Sequence, residues 1–341
     1  MKNSESSVVW LKDMLAARES IMVIVIAILF VLMSFISPYF LLPQTMLNLL
    51  MSLTVEGIIA IGMAILLVSG GMDLSAGANM ALSGVVAALF YVTGHPLWQC
   101  VTVGLSCGLI VGVVNGLLIS FVGLNPFICT LGMQMALQGL MLIITNGKAV
   151  QVTGDFAVIG SGKLLGIPYP VYILVILVIL FDVLLRKSKA LRQSYYVGGN
   201  ENAAKLNGIN VKAVKVFNYA LVGVLAALAG IILASRFTTA SVTVGGNTAL
   251  NVLTACIIGG ASLKGGEGTV LGGFLGVLFI SMLSTSFNIM DVNTFIKTFV
   301  TGLILIAAIT IDVLNERRKI SKLSIEAQKR MDTSEVSKKR G

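Results

Sequence analysis

Apolar runs long enough to cross a bilayer recur along almost the whole chain, and that repetition restricts the fold more than any single motif. They lie at 20–37, 47–68, 74–92, 97–121, 127–145, 169–186, 214–234, 249–262, 268–287 and 294–313. A spanning helix needs about 20 predominantly apolar residues, because in hydrocarbon every backbone polar group must be bonded internally. With 56% hydrophobic residues, 11% charged residues and a mean hydropathy of +0.95, the chain has too little polar surface for a soluble domain. It reads as an all-α polytopic membrane protein of about ten transmembrane helices, some broken or re-entrant, with a candidate internal duplication.

The net charge of +9 does not indicate nucleic acid. The basic residues gather before the first run (Lys2, Lys12, Arg18), between the sixth and seventh runs, and in the tail. Lys and Arg near span ends are retained in the cytoplasm, so this distribution reads as topology. It predicts a cytoplasmic segment at 1–19, a membrane domain at 20–314 with a cytoplasmic loop at 188–213, and a cytoplasmic charged tail at 315–341. Both termini are then cytoplasmic, and 38–46, 93–96, 146–168, 235–248 and 288–293 face outward. Beyond Arg317 the mixed charge and scarcity of large apolar residues predict disorder or loose helix. Ser37-Pro38-Tyr39-Phe40 follows the first run where a signal peptide would carry small residues, so that run is expected to be retained.

Chemistry of the enzymatic kind finds few residues. Cys100, Cys107, Cys129 and Cys256 lie in apolar runs without metal-ligand spacing, and His95 is alone. Gly162-Lys163 is followed by Leu164, and Ala157 stands where a P-loop needs its first Gly. The expectation is a non-enzymatic chain with no metal or bound cofactor.

Two segments interrupt the apolar pattern, 69–77 (SGGMDLSAG) and 259–268 (GGASLKGGEG). Gly70, Gly71, Leu74, Gly77, Leu82 and Gly84 align without gaps to Gly259, Gly260, Leu263, Gly266, Leu271 and Gly273. Duplicated transporter halves place broken helices at corresponding positions; chance matching in a chain with 36 Gly is the alternative.

The loop around YVGGNENAAKLNGINV (196–211) is polar and patterned, flanked by Arg186, Lys187, Lys189 and Arg192 and then Lys212 and Lys215. Gly198, Gly199, Asn200, Glu201, Ala203, Ala204, Lys205, Gly208 and Ile209 read as a short helix. Asn200 is suited to cap its start and Gly208 to end it. Ala203, Ala204 and Ile209 would supply a compact apolar surface for a cytoplasmic partner. An ordinary solvated loop is the bland alternative. Replacing Glu201 or Gly208 is expected to uncouple such a partner without blocking insertion.

Polar groups inside spans are costly and are therefore candidates for a solute path. Asp73 with Ser75 suits a helix cap or a gate beside the first break, and direct solute contact is the alternative. Glu56 and Lys297 are the other deep charges, Lys297 being near enough to a span end to snorkel. Asn125, Asn247 and Asn251, with Asn115, Gln134, Gln138 and Asn288, offer amide donors and acceptors. They serve either a polyhydroxylated solute or helix–helix hydrogen bonds. Gly223, Ala226, Ala227, Ala229 and Gly230 form a small-residue face expected to pack closely, and Trp98 reads as an interface anchor.

SGGMDLSAG together with YVGGNENAAKLNGINV resembles the permease subunit of the sugar-type (ribose/xylose/galactose) ABC importers. Asn125-Pro126-Phe127-Ile128, Thr130-Leu131-Gly132-Met133, Thr145-Asn146-Gly147, the second Gly-rich turn through Thr269, and Lys297 extend the resemblance over most of the chain. Met72 and Ala76 depart from residues common in relatives. The resemblance implies a monosaccharide path, and a cytoplasmic ATPase subunit that holds ATP and Mg. It also implies an extracytoplasmic sugar-binding protein and a second permease copy or paralogue. The rivals are an ion-coupled secondary transporter of a small polar solute, marked by ionophore sensitivity, and a scaffold or receptor that moves no solute.

Overall fold

In the computed structural model, residues 18–314 are described; the N-terminal segment and charged tail anticipated above lie largely outside them. The chain is helical almost throughout. Its elements are α1 Arg18–Ile36, α2 Pro43–Val68, α3 Ala76–Val92, α4 Leu97–Leu117, α5 Pro126–Thr145, β1 Val150–Gln151, α6 Phe156–Ser161, β2 Lys163–Leu164, β3 Ile167–Pro168 and α7 Tyr169–Lys187. There follow α8 Lys189–Gly199, α9 Glu201–Leu206, α10 Val211–Phe237, β4 Thr239–Ala240, α11 Thr248–Ile258 and α12 Val270–Ile289, and finally α13 Thr294–Leu314.

Eight of the described helices are long and apolar enough to span, and α3 and α11 are shorter apolar helices. The ten runs therefore all become helix, but two do not span alone. Local sequence sets the helix starts. Pro43 and Pro126 begin α2 and α5, where a missing N–H costs nothing. Asn125 caps α5 by accepting from Phe127 N at 2.9 Å.

The longest helices are the hubs. In α2, 89% of the most apolar window is buried, against none for α13. The 27-residue α10 lies against α2, α3 and α4. Its small-residue face works as expected: Gly223, Ala226, Ala227, Ala229 and Gly230 are buried. A Cβ on Gly230 would overlap the Met80 carbonyl of α3, and one on Gly223 that of Gly108 in α4. Asn79 joins the same three helices, its Nδ2 reaching Gly108 O at 3.2 Å and Gly223 O at 3.4 Å.

After α10 the chain reverses and runs back along α3. Val244 and Ser241 lie with Met80 and Gly84, and the backbones of Gly245 and Gly77 touch. The expected outward loop at 235–248 thus packs back against α3, and the 11-residue α11 follows it. β1 pairs antiparallel with β4 (Val150↔Ala240), joining this segment to the 146–168 connection. The opposite face carries α8 and α9.

Both Gly-rich interruptions are sharp turns closed in the same way. Gly70 N donates to Leu67 O and Gly71 N to Leu66 O; Gly260 N donates to Ile257 O and Ala261 N to Cys256 O. These are paired 5→2 and 6→1 bonds around a left-handed glycine, Gly70 (φ +78) and Gly260 (φ +100). The geometric equivalence is Gly70 with Gly260, one residue out of register with the gap-free alignment. The shared feature is the way α2 and α11 end.

Candidate functional sites

The 188–213 segment folds into a compact helical hairpin. Ser188 caps α8 through Leu191 N, and Asn200 caps α9 by accepting from Ala203 N at 2.9 Å. Gly208 (φ +78) ends α9, with Gly208 N bonding Lys205 O and Ile209 N bonding Ala204 O. Glu201 pairs with Lys205 at 3.2 Å and with Lys215 of α10 at 2.8 Å. The Lys215 bond leads in holding the Glu201 carboxyl below its ordinary value.

One expectation for this hairpin is corrected. Ala204 is buried among Val197, Val211 and Val214, with the half-buried Ile209 packed against them, so Ala204 is not part of the exposed surface. They form a small internal core that stiffens the hairpin. The outward face consists of Asn202, Ala203, Lys205 and Asn207 around Leu206, which is 90% exposed. Leu206 stands four residues beyond Asn202 on the helix face opposite the buried Ala204.

Glu56, Asn247, Asn251 and Lys297 come together. They line a chamber of about 330 Å³ between α2, α11, α12 and α13, with Ser52, Thr254, Ser284, Phe287, Thr294, Thr298 and Thr301. Lys297 donates from Nζ to Asn288 Oδ1 at 2.7 Å, drawing its head toward the end of α12. The hydroxyl residues were not singled out from the sequence. A signal existed: Ser52/Glu56, Asn247/Asn251/Thr254 and Thr294/Lys297/Thr301 recur at three- and four-residue steps, one polar stripe per apolar helix.

Asp73, Ser75 and Asn125 lie away from this chamber. Asp73 and Ser75 are fully buried, Asp73 Oδ1 accepting from Ser75 N at 2.8 Å and Ser75 Oγ at 2.6 Å. Asn115 Nδ2 reaches Ser75 Oγ at 2.9 Å, and Leu74 N donates to Thr130 Oγ1 at 3.1 Å. This polar knot fixes the start of α3 against α4 and α5, with Tyr219 Oη donating to Met72 O at 3.1 Å. Asn125 is a helix cap beside a separate groove lined by Leu118, Leu124 and Ile128.

Another polar cluster was not anticipated. Arg186 reaches Asp182 at 2.7 Å and Glu19 at 3.3 Å, while Glu19 accepts from Thr269 Oγ1 and Asp182 from Leu271 N. It fastens α1 and α7 to the start of α12. Among the described residues no three His, Cys, Asp or Glu side chains are grouped to hold a metal.

Apolar helices of spanning length, a hydroxyl- and amide-lined chamber between four of them and an ordered polar hairpin on one face are the build of a multi-pass membrane protein. The family described as branched-chain amino acid transport system / permease component matches residues 45–309, and the chain belongs to it. Within that family it is similar to ribose and L-arabinose permeases. The ribose import permease RbsC of Bacillus subtilis (strain 168) is 39% identical over 288 residues, 84% of this chain and 89% of the relative. The L-arabinose permease AraH of Azospirillum brasilense is 36% identical over 299 residues, 87% of this chain and 88% of the relative. RbsC of Escherichia coli (strain K12) is 33% identical over 294 residues, 85% of this chain and 92% of the relative. The chain is a transmembrane permease of the sugar-type ABC importers. No solved structure matches it.

Proposed function

We propose that this chain forms the path for a monosaccharide in an ATP-driven importer and is worked by a separate ATPase docked on α8–α9. The observation that carries this reading is the hairpin's construction. A six-residue helix is capped at both ends, stapled to α10 through Glu201, and stiffened by its own core, yet it presents Leu206 almost fully exposed. Ordering a polar loop has an entropic cost, which the hairpin's core, caps and ion pair offset within the chain. A rigid knob suited to a groove on a partner gives the order a purpose.

The chamber supports the substrate class. Its amides and hydroxyls match a neutral polyol without the desolvation cost of full charge, and the relatives' names specify ribose and L-arabinose. An extracytoplasmic binding protein would deliver the sugar to the face opposite α8, a second permease copy or paralogue would complete the path, and ATP and Mg would sit on the partner. Both termini then lie in the cytoplasm. Uptake of radiolabelled D-ribose and L-arabinose by cells lacking their own importers tests this. ATP-dependent uptake, resistant to a protonophore, is expected; uptake that a protonophore abolishes and ATP depletion spares would overturn it.

A further inference from the structure

The base of the hairpin meets both interrupted turns through backbone alone. Gly198, near the end of α8, lies against Val68, the last residue of α2. A Cβ there would overlap the Val68 carbonyl oxygen and come within 2.6 Å of Gly266 N. A Cβ on Gly265 would stand 2.9 Å from both Gly70 Cα and Gly198 Cα. The Val68 carbonyl, among those a helix end leaves without an internal partner, accepts from Gly266 N at 2.8 Å. Tyr195, three residues before Gly198, donates its O–H to the Gly268 carbonyl at 2.6 Å. Three segments distant in the chain thus touch with no side chain between their backbones.

Side-chain contacts yield by changing rotamer, whereas backbone packed on backbone shifts as a block. We propose that Gly198, Gly265 and Tyr195 are positioning residues for transport: they form a joint that moves the α2–α3 and α11–α12 turns together with the hairpin. α2 and α11 leave this joint and supply two walls of the chamber, with Glu56 on one and Asn247 and Asn251 on the other. A displacement of α8 therefore reaches the chamber along two helices at once. This inference rests on the reading that an ATPase docks on the hairpin, and it adds where the motion goes. The glycines at 198 and 265 are needed because any side chain would wedge the three segments apart.

The test uses the full chain in proteoliposomes with the ATPase subunit that co-purifies with the wild type from its native membrane. Two quantities are read: ATPase retained on the permease, and D-ribose or L-arabinose imported per ATP hydrolysed. Gly198→Ala and Tyr195→Phe are expected to keep the ATPase bound while import per ATP falls by about two- to thirtyfold. Gly139→Ala in α5, outside the hairpin and with nothing within 4 Å of the added Cβ, should match the wild type. A merely structural role would reduce import and hydrolysis together and leave their ratio unchanged, and that result overturns the joint. If Gly198→Ala does not fold, Tyr195→Phe decides, because it removes one oxygen and no backbone contact. Failure of the wild type to retain any ATPase would reject the docking reading and the joint with it. Retention with an unchanged ratio in the variants rejects the joint alone.

Discussion

Glu201 accepts a hydrogen bond from Lys215 at 2.8 Å, so the short α9 helix is tied to the first turns of the longest helix in the bundle. Glu201 is therefore a staple within the chain. The staple also makes the hairpin sensitive to acid. The folded state holds the Glu201 carboxyl low, mainly through the Lys215 bond. Its contribution is accordingly complete above the ordinary Glu value of about 4.3 and is lost as pH falls through the lower folded value. Because Glu201 is partly exposed, the pair is worth only about 0.2–1 kcal/mol. Hydrogen exchange at 201–206, corrected for intrinsic rates, should lose protection below about pH 4 in the wild type. Glu201→Gln should show the weakened protection at every pH. An equal acid response in that variant would place the sensitivity elsewhere.

The inward face of α9 and its outward face separate folding from docking. Leu206 is 90% exposed, so Leu206→Asp removes no internal contact, while Ala204 at 3% has no room for a larger group. Leu206→Asp should leave the melting temperature within a degree or two of the wild type and abolish ATPase co-purification. Ala204→Leu should instead unfold the hairpin, by overpacking worth about 1–3 kcal/mol. Normal ATPase retention by Leu206→Asp would exclude this face as the docking surface.

Much of the architecture was legible because hydrocarbon permits so few solutions. Ten apolar runs gave ten helices, and Asn200 and Gly208 marked the two ends of α9. What escaped was tertiary. A polar residue in a span looks the same whether it caps a helix, as Asn125 does, locks a turn, as Asp73 does, or lines a chamber, as Asn251 does. The inward phase of Ala204 depended on Val197, Val211 and Val214 closing over it, and those lie on two other helices. The packing of 239–247 along α3 was hidden because its length and polarity suit an outward loop equally well; the contacts of Ser241, Val244 and Gly245 with that helix distinguish the two.

The knot at the start of α3 predicts a graded series. Asp73 Oδ1 takes two bonds from Ser75 inside the protein, where no water replaces them. Asp73→Asn keeps an acceptor oxygen at that position, whereas Asp73→Ala leaves the Ser75 N–H without one. Stranding a buried donor costs about 1–3 kcal/mol. In detergent, the Asn variant should melt close to the wild type and the Ala variant several degrees lower. Thr130→Val, which removes the acceptor of Leu74 N, should resemble the Ala variant. If all three melt alike, the knot does not hold α3.

The chamber makes the sharpest distinction among the polar residues first considered together. Asn251 and Thr298 face the same space from α11 and α13, while Asn125 caps α5 outside it. A solute seated in the chamber should therefore shield the first two and not the third. In a background with Cys100, Cys107, Cys129 and Cys256 replaced, cysteines at 251, 298 and 125 can be labelled with a membrane-impermeant maleimide. The transported sugar should slow labelling at 251 and 298 and leave 125 unaffected. Asn251→Leu, similar in bulk but unable to hydrogen-bond, should lower uptake by about five- to 150-fold, since leaving a sugar hydroxyl unmatched costs about 1–3 kcal/mol. ATPase retention in that variant should be normal, because α9 lies on the opposite face. Sugar protection at 125 but not at 251 would move the path to the groove beside Leu118 and Leu124, and the chamber would then be a packing defect between α2 and α13.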